Sequence, residues 1–152
     1  MNSSFKRDII NELYKLARRH YPRRRTIVNE LDDLWQADLI EVIPYARENG
    51  KNMYILIVID CFSKYVWALQ LKSKAAAEVA RCMKNILQRS KTKPNHLQTD
   101  VGKEFYNRNF ARLMTTHCIN HYSTYSTVKV TIEERVVRTI KKKLYREFSI
   151  RE

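Results

Sequence analysis

Apolar and polar positions change period several times along the chain. Phe5, Ile9, Leu13 and Leu16 recur at helical spacing, which predicts a basic amphipathic helix over residues 5–19 that ends before Tyr21-Pro-Arg-Arg-Arg25. This arm reads as a connector and not as core. Three apolar, β-branched runs follow, at residues 34–42, 54–59 and 65–71. Asp60-Cys-Phe-Ser63 breaks the second run from the third, so these two are expected to form an antiparallel hairpin. Residues 74–89 are Ala-rich, with Val79, Met83, Ile86 and Leu87 near one face, and predict a helix. Pro94-Asn95 restarts the chain as a short strand, His96 to Thr99. A helix over 107–115, a strand over 119–122, a Ser/Thr/Tyr-rich loop over 123–127 and a long helix over 129–148 complete the pattern.

The resulting order is strand, strand, strand, helix, strand, helix, strand, helix. It predicts an α/β layered domain: a mixed five-stranded sheet, its first three strands antiparallel, flanked by helices. No internal repeat and no low-complexity segment interrupts it. A chain of 152 residues with 44% hydrophobic content suits one domain with a real core. We expect residues 1–30 to form a basic helix and arm, and residues 31–152 to form the core, truncated at its C-terminal side.

Charge narrows the class of partner. The formal net charge of +13 favours a polyanion such as nucleic acid, although an acidic membrane surface would use the same charge. No run approaches the roughly 20 consecutive apolar residues that span a bilayer, and the N-terminus lacks the apolar stretch of a signal peptide. The expectation is a soluble, unsecreted protein with no membrane partner. Cys61, Cys82 and Cys118 are scattered and odd in number, which points to buried thiols in a reducing compartment and not to a disulfide framework. His117-Cys118-Ile-Asn-His121 is not read as a zinc site, since a strand-like segment points those residues badly.

Three carboxylates stand out by position. Asp38 interrupts an apolar strand, Trp35-Gln-Ala-Asp-Leu-Ile40, where burying a charge is costly unless a site or a metal compensates it. Asp100 follows the strand His96-Leu-Gln-Thr99, at the carboxyl end where α/β sheets commonly hold ligands. Glu134 lies in the first turns of the last helix, beside Glu133. Taken singly, Asp100 also reads as a loop or capping residue and Glu134 as a solvated helix glutamate. Asp60 reads as a turn residue, and Asp32 and Asp33 as solvated or capping.

Together the motifs Trp35-Gln-Ala-Asp38, Val58-Ile-Asp-Cys-Phe-Ser-Lys-Tyr-Val-Trp67, Thr99-Asp-Val-Gly-Lys-Glu-Phe105 and Lys129-Val-Thr-Ile-Glu-Glu-Arg-Val-Val-Arg-Thr-Ile-Lys141 resemble the catalytic core of retroviral integrases, of the DDE superfamily. The arm Tyr21-Pro-Arg-Arg-Arg-Thr-Ile-Val28 is similar to that of integrases of Polinton/Maverick-type transposons, and 33 residues separate Asp100 from Glu134 (134 − 100 − 1), close to the family's spacing. The resemblance covers the chain from about Tyr21 onward. It implies an RNase H-like fold and a polynucleotidyl transferase that processes 3′ ends of DNA and transfers the strand. It also implies that Asp38, Asp100 and Glu134 hold two Mg²⁺ (or Mn²⁺) ions, since hard cations take oxygen ligands and a metal pair clamps both oxygens of an in-line displacement at phosphorus.

By the same resemblance Lys129, Arg138 and Lys141 touch DNA, as do the arm residues Arg23, Arg24 and Arg25, while Glu104 orients the metal ligands or the DNA. The implied partners are element ends, a target duplex and further copies of the chain in a dimer or higher oligomer. The implied location is the nucleus of a eukaryotic host. The sequence departs from the family's pattern at Val101, Val130 and Val137, the last standing where Asn is usual. These departures leave two alternatives open: a domesticated, inactive DNA-binding module of the same fold, and an RNase H-like nuclease that cuts without joining.

Overall fold

Strand formation follows the β-branched runs. In the computed structural model, which describes residues 3–13, 27–123 and 132–151, β1 spans Leu34–Glu41, β2 Tyr54–Asp60 and β3 Val66–Leu71. β1 pairs antiparallel with β2, with Asp38 opposite Ile57, and β2 pairs antiparallel with β3, with Val58 opposite Trp67. β4 (His96–Thr99) then joins β1 in parallel and β5 (Asn120–Ser123) joins β4 in parallel, giving the sheet order β3-β2-β1-β4-β5. The mixed sheet with its antiparallel first half is as expected from the element order.

Alternation along the strands divides the interior into two layers. On one face Trp35, Ala37, Leu56, Val58 and Leu97 pack against Val79, Met83 and Ile86 of α2 (Ala76–Ser90) and against Phe110 and Met114 of α3 (Arg108–Thr116). On the other face Ile40, Val42 and Ile57 meet Val137 and Ile140 of α4 (Ile132–Arg151). Val137 is buried, and Val136, Ile140 and Leu144 of the same helix are half-buried.

Local chemistry fixes the element ends. Asn107 caps α3, its side-chain oxygen accepting from the Phe110 N–H at 2.9 Å. Glu78, in the first turn of α2, accepts from the Lys72 and Ser73 backbone N–H groups and the Ser73 hydroxyl. The hydroxyl does most to hold its carboxyl below the usual glutamate pKa. Asp60 acts as the turn residue expected of it. Its carboxylate accepts from the N–H and the hydroxyl of Ser63, and its backbone bonds close the β2–β3 connection.

The structure adds to the sequence expectations at three places and changes one of them, the burial of Cys118. The N-terminal helix α1 spans Ser3–Leu13, and the rest of the predicted 5–19 helix lies outside the described residues, as does the arm with Arg23, Arg24 and Arg25. In the described part of the helix Ile10 is buried and Asn11 accepts from the Arg146 Nε–H at 3.0 Å. Cys118 is exposed, at a positive φ of 54° just past α3, whereas Cys61 and Cys82 are buried. Asp32 is half-buried and accepts from the Trp35 indole N–H at 3.0 Å.

Trp35 is fully buried and stacks on Trp67 with ring centroids 4.3 Å apart. Trp35→Ala removes this ring from the centre of the sheet's larger layer and strands the Asp32 acceptor. We expect a loss of about 3–5 kcal/mol, read as a lower midpoint in denaturant unfolding.

Candidate active site

The site begins with strand register. Ala37 of β1 pairs with Thr99 of β4, the last paired position of that parallel ladder. One residue further along each chain stand Asp38 and Asp100, on neighbouring strands roughly 4.8 Å apart. Asp38 is half-buried and its carboxylate accepts from the Leu39 N–H at 2.8 Å, whereas Asp100 is exposed at the strand end. Alternation puts Asp38 on the face of Gln36 and Ile40, the face that α4 covers.

Two residues before each aspartate stands a glutamine, Gln36 and Gln98, opposite each other in the ladder. Both are buried, and the Gln36 side-chain N–H donates to the Gln98 side-chain oxygen at 2.9 Å. An amide pair of this kind is stable only in one register, since a one-residue slip of either strand would send one amide into the opposite, apolar layer and leave the other unpaired. Sequence reasoning missed this pair. Its signal was the repeated spacing Gln36-Ala-Asp38 and Gln98-Thr-Asp100.

A second support reaches Asp100 from the sheet edge. The Thr99 hydroxyl donates to the Asp100 carbonyl at 3.0 Å and lies 2.9 Å from His121 Nε2. With its one proton committed to that carbonyl, the hydroxyl accepts from His121, which fixes the proton on Nε2. His121 also sits 4.8 Å from the ring of Tyr106 and 5.2 Å from that of Phe110, centroid to centroid. Burial holds it below the usual histidine pKa by penalising the charged ring.

That depression has a pH signature. As pH falls through the ordinary histidine value of about 6.5, the unfolded chain takes up a proton before the folded chain does. His121 therefore costs nothing above that value, and stability declines as pH drops below it towards the folded pKa. Denaturant titrations at about pH 7.5 and about pH 5.5 check this: His121→Asn is expected to remove part of the decline.

Glu104 is half-buried, four residues beyond Asp100. Its carboxylate lies over Gly102, where an added Cβ would come within 2.5 Å of it. The backbone of α4 passes over the same face of the sheet as Asp38, and Glu134 stands on it three residues before the buried Val137. Arg138 is exposed and Lys141 half-exposed on that helix. The side chains of Glu133 and Glu134 and the whole of Lys129 lie outside the described residues. Among the described residues no group of three or more His, Cys, Asp or Glu side chains converges as a metal site. What is described is a pair of carboxylates on adjacent strands, a donor chemistry that suits a hard divalent cation.

Val137 lies where the family's pattern has Asn. It is buried among Ile40, Val42 and Ile57, so the departure is absorbed as core packing.

No helix among the described residues is long and apolar enough to cross a membrane. The fold has solved counterparts. One is a chain of the simian T-cell lymphotropic virus intasome in complex with PP2A regulatory subunit B56 gamma, with a TM-score of 0.69 at 24% identity over 86% of this chain and 47% of that one. The catalytic core domain of BIV integrase gives 0.54 at 20% identity over 74% of this chain and 65% of that one. The HTLV-2 integrase catalytic core domain, in its dimeric form with magnesium, gives 0.52 at 22% identity, covering 61% of each chain. At these identities the likeness is one of fold, the RNase H-like fold of integrase cores.

In sequence, the chain is 33% identical over 100 residues to the transposon-derived protein F54H12.3 of Caenorhabditis elegans, which is 66% of this chain and 35% of that protein. It thus spans about a third of that relative's length. Residues 29–125 match the family described as Integrase core domain, so the chain belongs to the integrase core family.

Proposed function

We propose that this chain is the catalytic core of an enzyme that cuts and joins DNA, processing a 3′ end and transferring it to a target strand. The observation that carries the reading is the placement of Asp38, within β1, beside Asp100, just past the end of the parallel strand β4, next to a buried amide pair that fixes their register. Two carboxylates on neighbouring strands offer the oxygen ligands that hard divalent cations take.

In this reading Asp38, Asp100 and Glu134 hold two divalent ions, Mg²⁺ or Mn²⁺. When bound, these supply positive charge to the attacking and leaving oxygens at phosphorus. The protein's own part is positional. β1 and β4 hold the two aspartates, Glu104 orients the loop that follows Asp100, and α4 carries Glu134 over the same face. Arg138, Lys141, Lys129 and the arm residues Arg23, Arg24 and Arg25 hold DNA phosphates. The arm and helix of residues 1–30 serve DNA, and residues 31–152 form the core. The reading extends to a homo-oligomer acting in the nucleus, and to kinship with Polinton/Maverick-type transposon integrases.

Titration with Mn²⁺ followed by electron paramagnetic resonance tests the ligand set. About two bound ions are expected for the unaltered chain, with markedly weaker binding for Asp38→Asn. Unchanged Mn²⁺ binding in that variant would remove Asp38 from the set.

The burial of Val137 supports a second reading, an inactive core retained for DNA binding. In the family's pattern a polar residue stands there, beside the reacting groups. The two readings part on turnover, since an inactive core binds duplex DNA and converts none.

A further inference from the structure

The described cations of α4 are not confined to the edge nearest the sheet. Lys142, Lys143 and Arg146 line, with Asn11 of α1, a notch of about 310 Å³ between the two helices. Arg146 lies nine residues beyond the buried Val137, which at about 100° per residue places it half a turn around the helix from the sheet. The notch therefore opens on the outer side of α4, away from the layer that contains Asp38. Arg7 stands one turn before Asn11 on the same side of α1 and is exposed.

Clustering these charges is unfavourable by itself, because like charges on adjacent turns repel. Among the described residues no carboxylate salt-bridges Lys142, Lys143 or Arg146, and Arg146 instead bonds the neutral Asn11. That bond uses the guanidinium Nε–H and turns Asn11, a further hydrogen-bonding group, into the same notch. A set of cations that no described carboxylate salt-bridges, around a concave seam in a chain of net charge +13, complements a polyanion.

From this geometry we infer that the α1–α4 notch is a second DNA-backbone site, which takes phosphodiesters of a duplex segment other than the one at the carboxylates. The inference rests on the proposed DNA-joining function but concerns a different surface. An α-helix with its side chains is about 10–12 Å across, so the two sides of α4 engage separate stretches of backbone. The site reads no bases, because its groups are cations and one amide presented along a helix seam.

The test measures fluorescence anisotropy of a labelled duplex against the full chain over a salt series. It compares the unaltered protein with Lys142→Gln/Lys143→Gln/Arg146→Gln, whose folding is checked by circular dichroism. Each phosphate that the protein no longer neutralises lowers the slope of log K against log salt by about 0.9, so the triple variant is expected to show a slope smaller by roughly 2–3. A second duplex with a different label is expected to bind alongside the first on the unaltered protein, and not on the variant.

An unchanged slope and retained double occupancy in the variant would overturn the notch and leave the proposed function standing. No salt-dependent duplex binding by the unaltered chain would overturn both. Displacement of the second duplex by polyglutamate or by anionic phospholipid vesicles at lower charge concentration than by unlabelled DNA would also overturn it, assigning the notch to an acidic peptide or a membrane surface.

Discussion

Asp38→Asn and Asp100→Asn are each expected to abolish metal-dependent strand cutting, by at least about a thousandfold, or about 4 kcal/mol of barrier. Either change removes the ligand charge while keeping the side chain's shape. Asp38 is half-buried, with its carboxylate bonded to the Leu39 N–H, and an Asn oxygen can accept the same bond. Asp100 is exposed, so its replacement disturbs little packing. The unfolding midpoints of both variants should thus stay near that of the unaltered chain while turnover disappears. Near-native turnover in either variant would exclude that residue as a ligand, and a large fall in stability would mean that its role is structural.

Glu134→Gln is expected to eliminate strand joining, whereas Glu133→Gln should leave it largely intact. The helix phase separates the two. Val137 and Ile140 define the side of α4 that meets Ile40 and Ile57. Glu133 stands one turn before Val137 on that stripe, and Glu134 stands to one side of it.

The direction of that side comes from Tyr145, eleven residues beyond Glu134 and so on nearly the same helix edge. Its hydroxyl donates to the Glu41 carbonyl at 3.1 Å, and its ring lies 5.9 Å from that of Tyr45. The edge carrying Glu134 therefore runs along β1, the strand of Asp38. A strand-joining assay on both variants decides the matter. Loss with Glu133→Gln alone moves the ligand by one residue, and equal loss from both shows the helix phase to be wrong.

The sequence carried most of this fold because its periods are clean. β2 alternates between two apolar layers, with Ile57 towards α4 and Val58 towards α2 and α3, and reads as an unbroken hydrophobic run. α2 presents Val79, Met83, Ile86 and Leu87 on one face, as expected, with Cys82 among them. The parallel pairing of β1 with β4 is a different matter. It joins segments about sixty residues apart, and periodicity within either segment says nothing of register.

The aspartates stood out because a charge in or at the end of an apolar strand is costly. Gln36 and Gln98 did not, because an uncharged amide in a strand shows its purpose only once its partner is across from it. His121 likewise gave no sign of its place. Its bond to Thr99 depends on β5 lying beside β4 at the sheet edge. The packing of α1 was not legible for a similar reason. A short amphipathic helix specifies that it has an apolar side but not what covers it, and here Ile10 and Asn11 turn towards α4.

The most direct test of the central claim is a strand-joining assay of the unaltered chain, with Mg²⁺ or Mn²⁺, on DNA already cut at its 3′ end and on a branched product-like substrate. The account predicts joined strands from the first and resolution of the second, both dependent on the metal and both lost in Asp38→Asn. Hydrolysis without joining would contradict the transferase and leave a nuclease of the same fold. No turnover on either substrate, from protein that still binds duplex DNA, would contradict the enzyme altogether.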